Sequence, residues 1–283
     1  MTASSTAAQR AELGDLLRAR RAQLDRAELG FPPVARSRTR GLRREEVSAL
    51  SGVSVTWYTW LEQGRDIRPS RQVLDAVART LRLSTTEHAY VLSLAGYAPP
   101  ARSSDTADRA PGHVQRLLDA LPGSPAFALA RDWGIAGWNR AYAALNPRIT
   151  TLPADDRNLL CLVFTDAYVR ALLPDWQTAS RRFLAEFRAE AGPHLSDAGV
   201  TAVVERLNAV SAEFRAGWTN HDIEGFTSRE RHFRHPVVGD LILEQHRLTP
   251  VDHPELHVVV YTPVDDGRTP TALAELLGRA TSF

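Results

Sequence analysis

Along the first hundred residues, apolar positions recur every three or four. Leu13, Leu16, Leu17 and Leu24 give a helical stripe over about 11–24. Val47 and Leu50 give a second stripe, which stops at Gly52, the residue best suited to a left-handed helix exit. Val53 plugs the turn, and Ser54 suits the N-cap of the next helix. Tyr58 and Leu61, three apart, set a third stripe against the second. Val73, Leu74, Val77 and Leu81 follow a Ser70 cap. Tyr90, Val91 and Leu94 follow Ser84-Thr85-Thr86-Glu87, a capping-box sequence. The pattern predicts five helices between 11 and 95. The second and third, joined by a short glycine-containing turn, form a helix-turn-helix.

Past residue 112 the pattern is mixed. A helix over 113–121 leads to two strand-like runs, 126–130 and 134–138. Helical patterns follow at 139–145, 158–164, 166–172, 175–191 and 198–214. The clearest strands are 237–248, with Val238, Leu241 and Leu243 among polar neighbours, and 256–263, which holds Val258-Val259-Val260-Tyr261. A last helix covers about 270–279. Strands on both sides of a helical middle predict an α+β domain with an antiparallel sheet. Between the halves, 98–112 is rich in Ala, Pro, Ser and Asp without apolar period, and reads as a linker. Residues 1–9 are small and polar and read as disordered. The expected organisation is therefore a disordered 1–9, a helix-turn-helix domain over 10–97, a linker over 98–112 and a second domain over 113–283.

Charge sharpens this division. The formal net charge is only +1, but residues 1–98 hold fifteen arginines against ten acids, a net of +5, leaving −4 for the remainder. A basic front half suits nucleic acid. Cys161 is the single cysteine, so neither a disulfide nor a cysteine-rich zinc site can form within one chain. No apolar run approaches membrane-spanning length and no apolar signal segment opens the chain, so a soluble, cytoplasmic protein with no membrane partner is expected.

The helix-turn-helix carries the clearest chemistry. With Tyr58 and Leu61 turned inward, Val55, Thr56, Thr59 and Trp60 point outward, on a helix of a width that fits the DNA major groove. Just upstream, Arg36, Arg38, Arg40, Arg43 and Arg44 lie in a nine-residue stretch without an acid. Guanidinium groups in such a run suit phosphate contacts or minor-groove insertion. Arg65 and Arg68, in the loop after the motif, suit phosphates beside the groove. Double-stranded DNA is the expected partner.

The same residues resemble the xenobiotic-response-element class of helix-turn-helix regulators, whose second helix runs to Leu-Glu-x-Gly, here Leu61-Glu62-Gln63-Gly64. More narrowly, Arg40-Gly41-Leu42-Arg43-Arg44-Glu45-Glu46-Val47 and Leu61 to Arg65 resemble the MmyB-like actinobacterial regulators. That resemblance implies a five-helix, lambda-repressor-like domain in which Arg44 opens the first motif helix as a DNA-backbone contact. It also implies that Ser54, Val55, Thr56, Thr59 and Trp60 read the operator. The expected whole is a homodimeric regulator whose second domain binds a small apolar ligand, dimerises, or does both. Trp60 stands where an arginine or another polar residue is commoner. An indole can donate one hydrogen bond or pack on a thymine methyl, but it cannot grip guanine bidentately.

The resemblance extends through Asn139, Asn158, Phe164, Asp166, Asp175-Trp176, Phe187-Arg188, Trp218, His221-Asp222 and His235 to Gly239. It implies a PAS-like ligand-binding domain with an apolar pocket, for which a fatty acid or similar molecule is a plausible occupant. The aromatic supply fits such a pocket, with Trp138, Phe164, Trp176, Phe214 and Trp218 as candidate walls and Asn139, Arg188, His221 and His235 as polar anchors. Arg188 could hold a carboxylate bidentately. No cofactor is expected. His232 and His235 are spaced for a shared metal on a helix, but Pro236 and the strand after it argue against a helix there, so no metal site is expected. No Gly-x-Ser-x-Gly, phosphate loop or His-Glu-x-x-His occurs, so an enzyme is not expected. His221 and Asp222 remain the rival acid-base pair, although adjacent residues point in different directions. A helix-turn-helix serving mainly protein pairing is the other alternative.

Overall fold

A computed structural model describes residues 6–31, 41–97 and 109–279, which form two compact units. The first holds the described chain up to 97 together with Arg188–Thr201 and Gly217–Gly225. The second holds the described remainder.

The first unit contains the five helices that the apolar pattern calls for: α1 (Ala7–Gln23), α2 (Arg44–Ser51), α3 (Val55–Glu62), α4 (Arg71–Thr80) and α5 (Thr85–Leu94). Helix α1 begins four residues before its apolar stripe, because Thr6 and Gln9 cap each other's backbone N–H groups. That places Ala7 to Gln9 in a helix rather than in the disordered segment expected from composition. Ser54, Ser70 and Ser84 each accept from a backbone N–H at the start of the following helix. Leu16, Leu17, Val47, Tyr58, Leu74 and Val91 bury together in one core. Leu50 departs from the pattern. It is 46% exposed and lines an open groove with Leu29, Ala76 and Arg79 instead of joining the core.

The two later segments are structural parts of this unit. Leu195 and Ile223 pack on its core. Gly192 lies so close to the Tyr90 ring that a Cβ there would overlap it. Arg188 is fully buried, with its guanidinium against Glu12 on α1, the Trp218 carbonyl and His221 Nδ1.

The second unit is built on a five-stranded antiparallel sheet. In chain order, α6 (Gly112–Asp119) precedes β1 (Ala126–Leu129) and β2 (Ile135–Trp138). Next come α7 (Arg140–Leu145), α8 (Leu159–Thr165), α9 (Ala167–Leu172), α10 (Trp176–Ala191), α11 (Ala198–Val210) and α12 (Ala212–Thr219), of which residues 188–191, 198–201 and 217–219 belong to the first unit. Strands β3 (Arg229–His235), β4 (Gly239–Leu248) and β5 (His257–Pro263) complete the sheet before α13 (Thr269–Arg279). The strand order is β2-β1-β5-β4-β3. The two-residue strand period sorts the side chains by face. Ala126, Ala128, Val258 and Val260 meet Val114 and Leu118 of α6, while Phe127, Phe233 and Tyr261 form an aromatic row whose neighbouring ring centroids lie 6.2 and 5.4 Å apart.

Strand β3 was absent from the apolar pattern, since Arg-Glu-Arg-His-Phe-Arg-His buries only alternate residues, two of them polar. The strand expected over 237–248 begins only at Gly239. His235 pairs with Gly239 across a hairpin turn, and Gly239 takes φ +78, the left-handed conformation such a turn demands. The single helix expected over 198–214 is two helices, with Ser211 between them accepting from the Phe214 N–H.

Candidate DNA-reading face and ligand cavity

Helix α2 leaves through Gly52 at φ +70, Val53 is buried, and Ser54 accepts from the Trp57 N–H at 3.2 Å to start α3. Tyr58, Leu61 and Glu62 face inward. Ser54, Val55 and Thr56 are exposed, and Thr59 and Trp60 are half-buried on the same outer side. The Trp57 and Trp60 rings lie 6.3 Å apart, and the Arg65 guanidinium sits 5.7 Å from the Trp60 ring, with its Nε–H also donating to Gln63. These contacts hold the bulky indole against its own helix. Arg43 is exposed, its backbone N–H capped by Glu46 at 2.7 Å. Arg38 and Arg40 lie outside the described residues.

Arg44 has a second commitment beyond the phosphate contact expected of it. Its Nε–H donates to Glu62 at 2.7 Å while its side chain remains 39% exposed. Glu62 also takes Arg21 of α1 at 2.5 Å and is itself fully buried. One carboxylate thus ties α1, α2 and α3 together. Burial pushes the Glu62 pKa up, but the hydrogen bonds and charges of Arg21 and Arg44 outweigh this and hold it below the usual value. The Arg18 guanidinium donates to the Glu62 carbonyl at 2.7 Å, and Gly14 packs directly on that peptide. Neither Glu62 nor Arg21 stood out as functional in sequence. The signal was there in Glu62, an acid on the same inward stripe as Tyr58 and Leu61.

In the second unit, Leu145, Leu162, Leu172, Phe183, Phe233 and Tyr261 are among the walls of a mostly apolar cavity of about 40 Å3, lying between the aromatic row of the sheet and α7 to α10. Burial pushes the Tyr261 hydroxyl up to about 12, so it stays protonated. Asn146 is the polar amide in the wall. It is 4% exposed, and its Oδ1 is buried without a hydrogen-bond partner.

None of the nine residues expected to hold a ligand lines this cavity. Asn139 caps α7, with its Oδ1 accepting from Ala126 and Tyr142 and its amide donating to the Leu118, Leu121 and Ser124 carbonyls, so its side chain is spent on the fold. Phe164 meets Trp176 and Phe214 edge-on in a separate aromatic cluster. Trp176 donates from its indole to the Val163 carbonyl and carries Arg170 on its face. Trp138 is half-buried under Arg157. His235 sits between the Tyr168 hydroxyl and the Val237 N–H. Arg188, Trp218 and His221 belong to the first unit, where Arg188 is held by Glu12 rather than open to a carboxylate ligand. The missed signal for the cavity was the run Leu159 to Phe164, buried at every position. A continuously buried helix reads as plain core until a void is seen beside it.

One group among the described residues brings three possible metal-ligand atoms within 4.8 Å of one another: His113, Asp252 and His253. His113 and Asp252 already pair at 3.0 Å, and the two imidazoles stack at 5.4 Å. His232 is exposed and lies 3.9 Å from Glu230, while His235 is buried, so the pair considered for a metal in sequence does not face one point.

The helix-turn-helix, followed in the chain by an α+β unit with an apolar cavity, marks a DNA-binding transcription regulator with a ligand-binding domain. Residues 12–91 match a helix-turn-helix domain family. Residues 110–277, more than half of the chain, match the MmyB-like transcription regulator ligand binding domain, and the protein belongs to that family. A search of curated proteins finds no match. No described helix is long and apolar enough to cross a membrane.

Proposed function

We propose that the protein is a sequence-specific operator-binding regulator in which Val55, Thr56, Thr59 and Trp60 read base edges from the major groove. Arg43, Arg44 and Arg65, with Arg38 and Arg40 upstream, hold the flanking phosphates. Two copies bind a two-fold site, as the one-turn half-site spacing of helix-turn-helix dimers requires. The observation that carries this reading is α3 itself. One side is locked into the core by Tyr58, Leu61 and the doubly paired Glu62, while the opposite side presents small polar groups and an indole to solvent. The setting of this reading is the cytoplasm, and no step in it calls for catalysis.

In the same reading, the cavity beside Phe233 and Tyr261 takes an apolar, lipid-like molecule, and its occupancy sets operator affinity. Its apolar walls support an alkyl or aryl body. At about 40 Å3 it is well below the roughly 150 Å3 that accommodates benzene. A long chain therefore enters only as neighbouring side chains give way.

Selection of random DNA duplexes by the purified full chain tests the DNA reading. Enrichment of a two-fold-symmetric site, with Trp60→Ala altering preference at particular bases, supports it. Failure to enrich any sequence over bulk DNA, in protein whose fold is intact by circular dichroism, rejects it and favours a helix-turn-helix used for protein pairing.

A further inference from the structure

Resting on the reading of the cavity as the ligand site, we propose that Asn146 selects the ligand by accepting one hydrogen bond from it, so that the site prefers a neutral donor (an alcohol, phenol or amide N–H) over an acceptor-only molecule of the same shape. Asn146 closes α7, and its main chain is already committed. Its N–H donates to the Tyr142 carbonyl at 2.8 Å and its carbonyl accepts from the Ile149 N–H at 3.1 Å. Neither bond requires an amide side chain, and asparagine takes φ −130 there, a conformation open to most residues. Local structure therefore does not explain an amide at this position.

The side chain is nonetheless nearly inaccessible and lines the cavity. Its Oδ1 is left without a hydrogen-bond partner. Buried carbonyl oxygens are almost always paired, and a leucine here would remove the desolvation cost altogether. A ligand donor in the cavity satisfies the oxygen. An ionised carboxylate cannot, since it has no proton to give and would set its charge against Oδ1. Nor can Arg188 serve a carboxylate from elsewhere while it is held by Glu12.

The test compares 1-hexanol with 1-methoxypentane, equal in heavy atoms, the first able to donate and the second not. Binding to the full chain is followed through the methyl NMR signals of Leu162, Val163 and Leu172. The wild type is expected to bind the alcohol about fivefold more tightly, the size of one neutral hydrogen bond. In Asn146→Leu the two affinities become equal. Equal affinities in the wild type overturn the role of Asn146 while leaving the cavity as a ligand site. A preference that survives in Asn146→Leu overturns it too. If neither probe shifts those methyl signals, the ligand reading of the cavity falls and the inference falls with it.

Discussion

Glu12 and Arg188 are 176 residues apart in the chain and form one buried ion pair. The Tyr90 hydroxyl donates to the same Glu12 oxygen at 3.2 Å, and His221 Nδ1 lies 3.2 Å from it. The helix-turn-helix unit is therefore completed by residues from the far half of the chain. Arg188→Leu leaves a buried carboxylate without its cation and is expected to cost about 3–5 kcal/mol of stability. The double variant Glu12→Leu/Arg188→Leu should recover most of that loss. Urea unfolding of the three proteins measures both. Equal stability of the wild type and Arg188→Leu would show that the pair does not hold the unit together.

The pH dependence follows from Glu12 and Glu62. Burial pushes the pKa of Glu12 up, but its bonds to His221 and Arg188 outweigh this and leave it lowered, as Arg21 and Arg44 leave Glu62 lowered. Lowered carboxyl values mean that the native state favours the ionised form. The stability they give is fully present above the ordinary value of 4.5 and is lost as pH falls through the lowered values. Urea midpoints should drop steeply below about pH 4.5, and the double variant Glu12→Gln/Glu62→Gln should be less stable at pH 7 with a flatter acid limb. An unchanged acid limb would rule these two groups out as its cause.

His257 gives the second unit its own pH window. Burial, then the charge of Arg247, pushes it from 6.5 down to about 4. A depressed histidine folds neutral, so stability is full above 6.5 and declines as pH falls toward 4. Titration of the His257 ring by NMR should give a midpoint near 4. A midpoint near 6.5 would contradict the desolvation and the Arg247 charge that lower it.

What could be read in the sequence follows the physics of each element. Gly52, Ser54 and the Ser84–Glu87 box act within a few residues, so helix ends and the helix-turn-helix were plain. The inward set of Tyr58 and Leu61 needed only the helical period. Strand β3 was hidden because Arg231 and His235 are buried through partners far away, Arg231 by Glu186 at 3.0 Å and Gln245 at 2.6 Å. Arg188 and Asn139 looked like ligand anchors because their type suits that chemistry. Each is consumed by contacts that only the fold brings together, Glu12 for one and three carbonyls for the other. Asn146 was passed over for the converse reason: nothing in its sequence neighbourhood reveals an oxygen left without a partner.

Gly14 sets how closely α1 lies on the reading helix. A Cβ at this position would meet the Glu62 carbonyl oxygen at 2.5 Å and its carbon at 2.9 Å, both backbone atoms that no side-chain rotation can move. Gly14→Ala should raise helix propensity in α1 yet destabilise the unit by about 1–3 kcal/mol through overpacking. Because the displaced peptide ends α3, operator affinity should fall even where the protein remains folded. Thermal unfolding and DNA binding measured together check this. A variant at least as stable as the wild type, with unchanged DNA binding, would show that the close approach is not needed.

Trp60 offers the most specific prediction. Its indole is flanked by Trp57 and Arg65 and lies half-buried on the outer side of α3, so it reads through one N–H and an apolar edge. Trp60→Arg supplies a fork that can take guanine O6 and N7 together. The variant should shift preference toward guanine at one base pair in each half-site, by about 1–3 kcal/mol, and leave the remaining positions unchanged. It should also steepen the salt dependence of binding only slightly, since the new contact is to a base and not to a phosphate. Selection of random duplexes by the two proteins decides it. A uniform loss of affinity without a change in the preferred sequence would place Trp60 outside the base-reading set and leave recognition to Val55, Thr56 and Thr59.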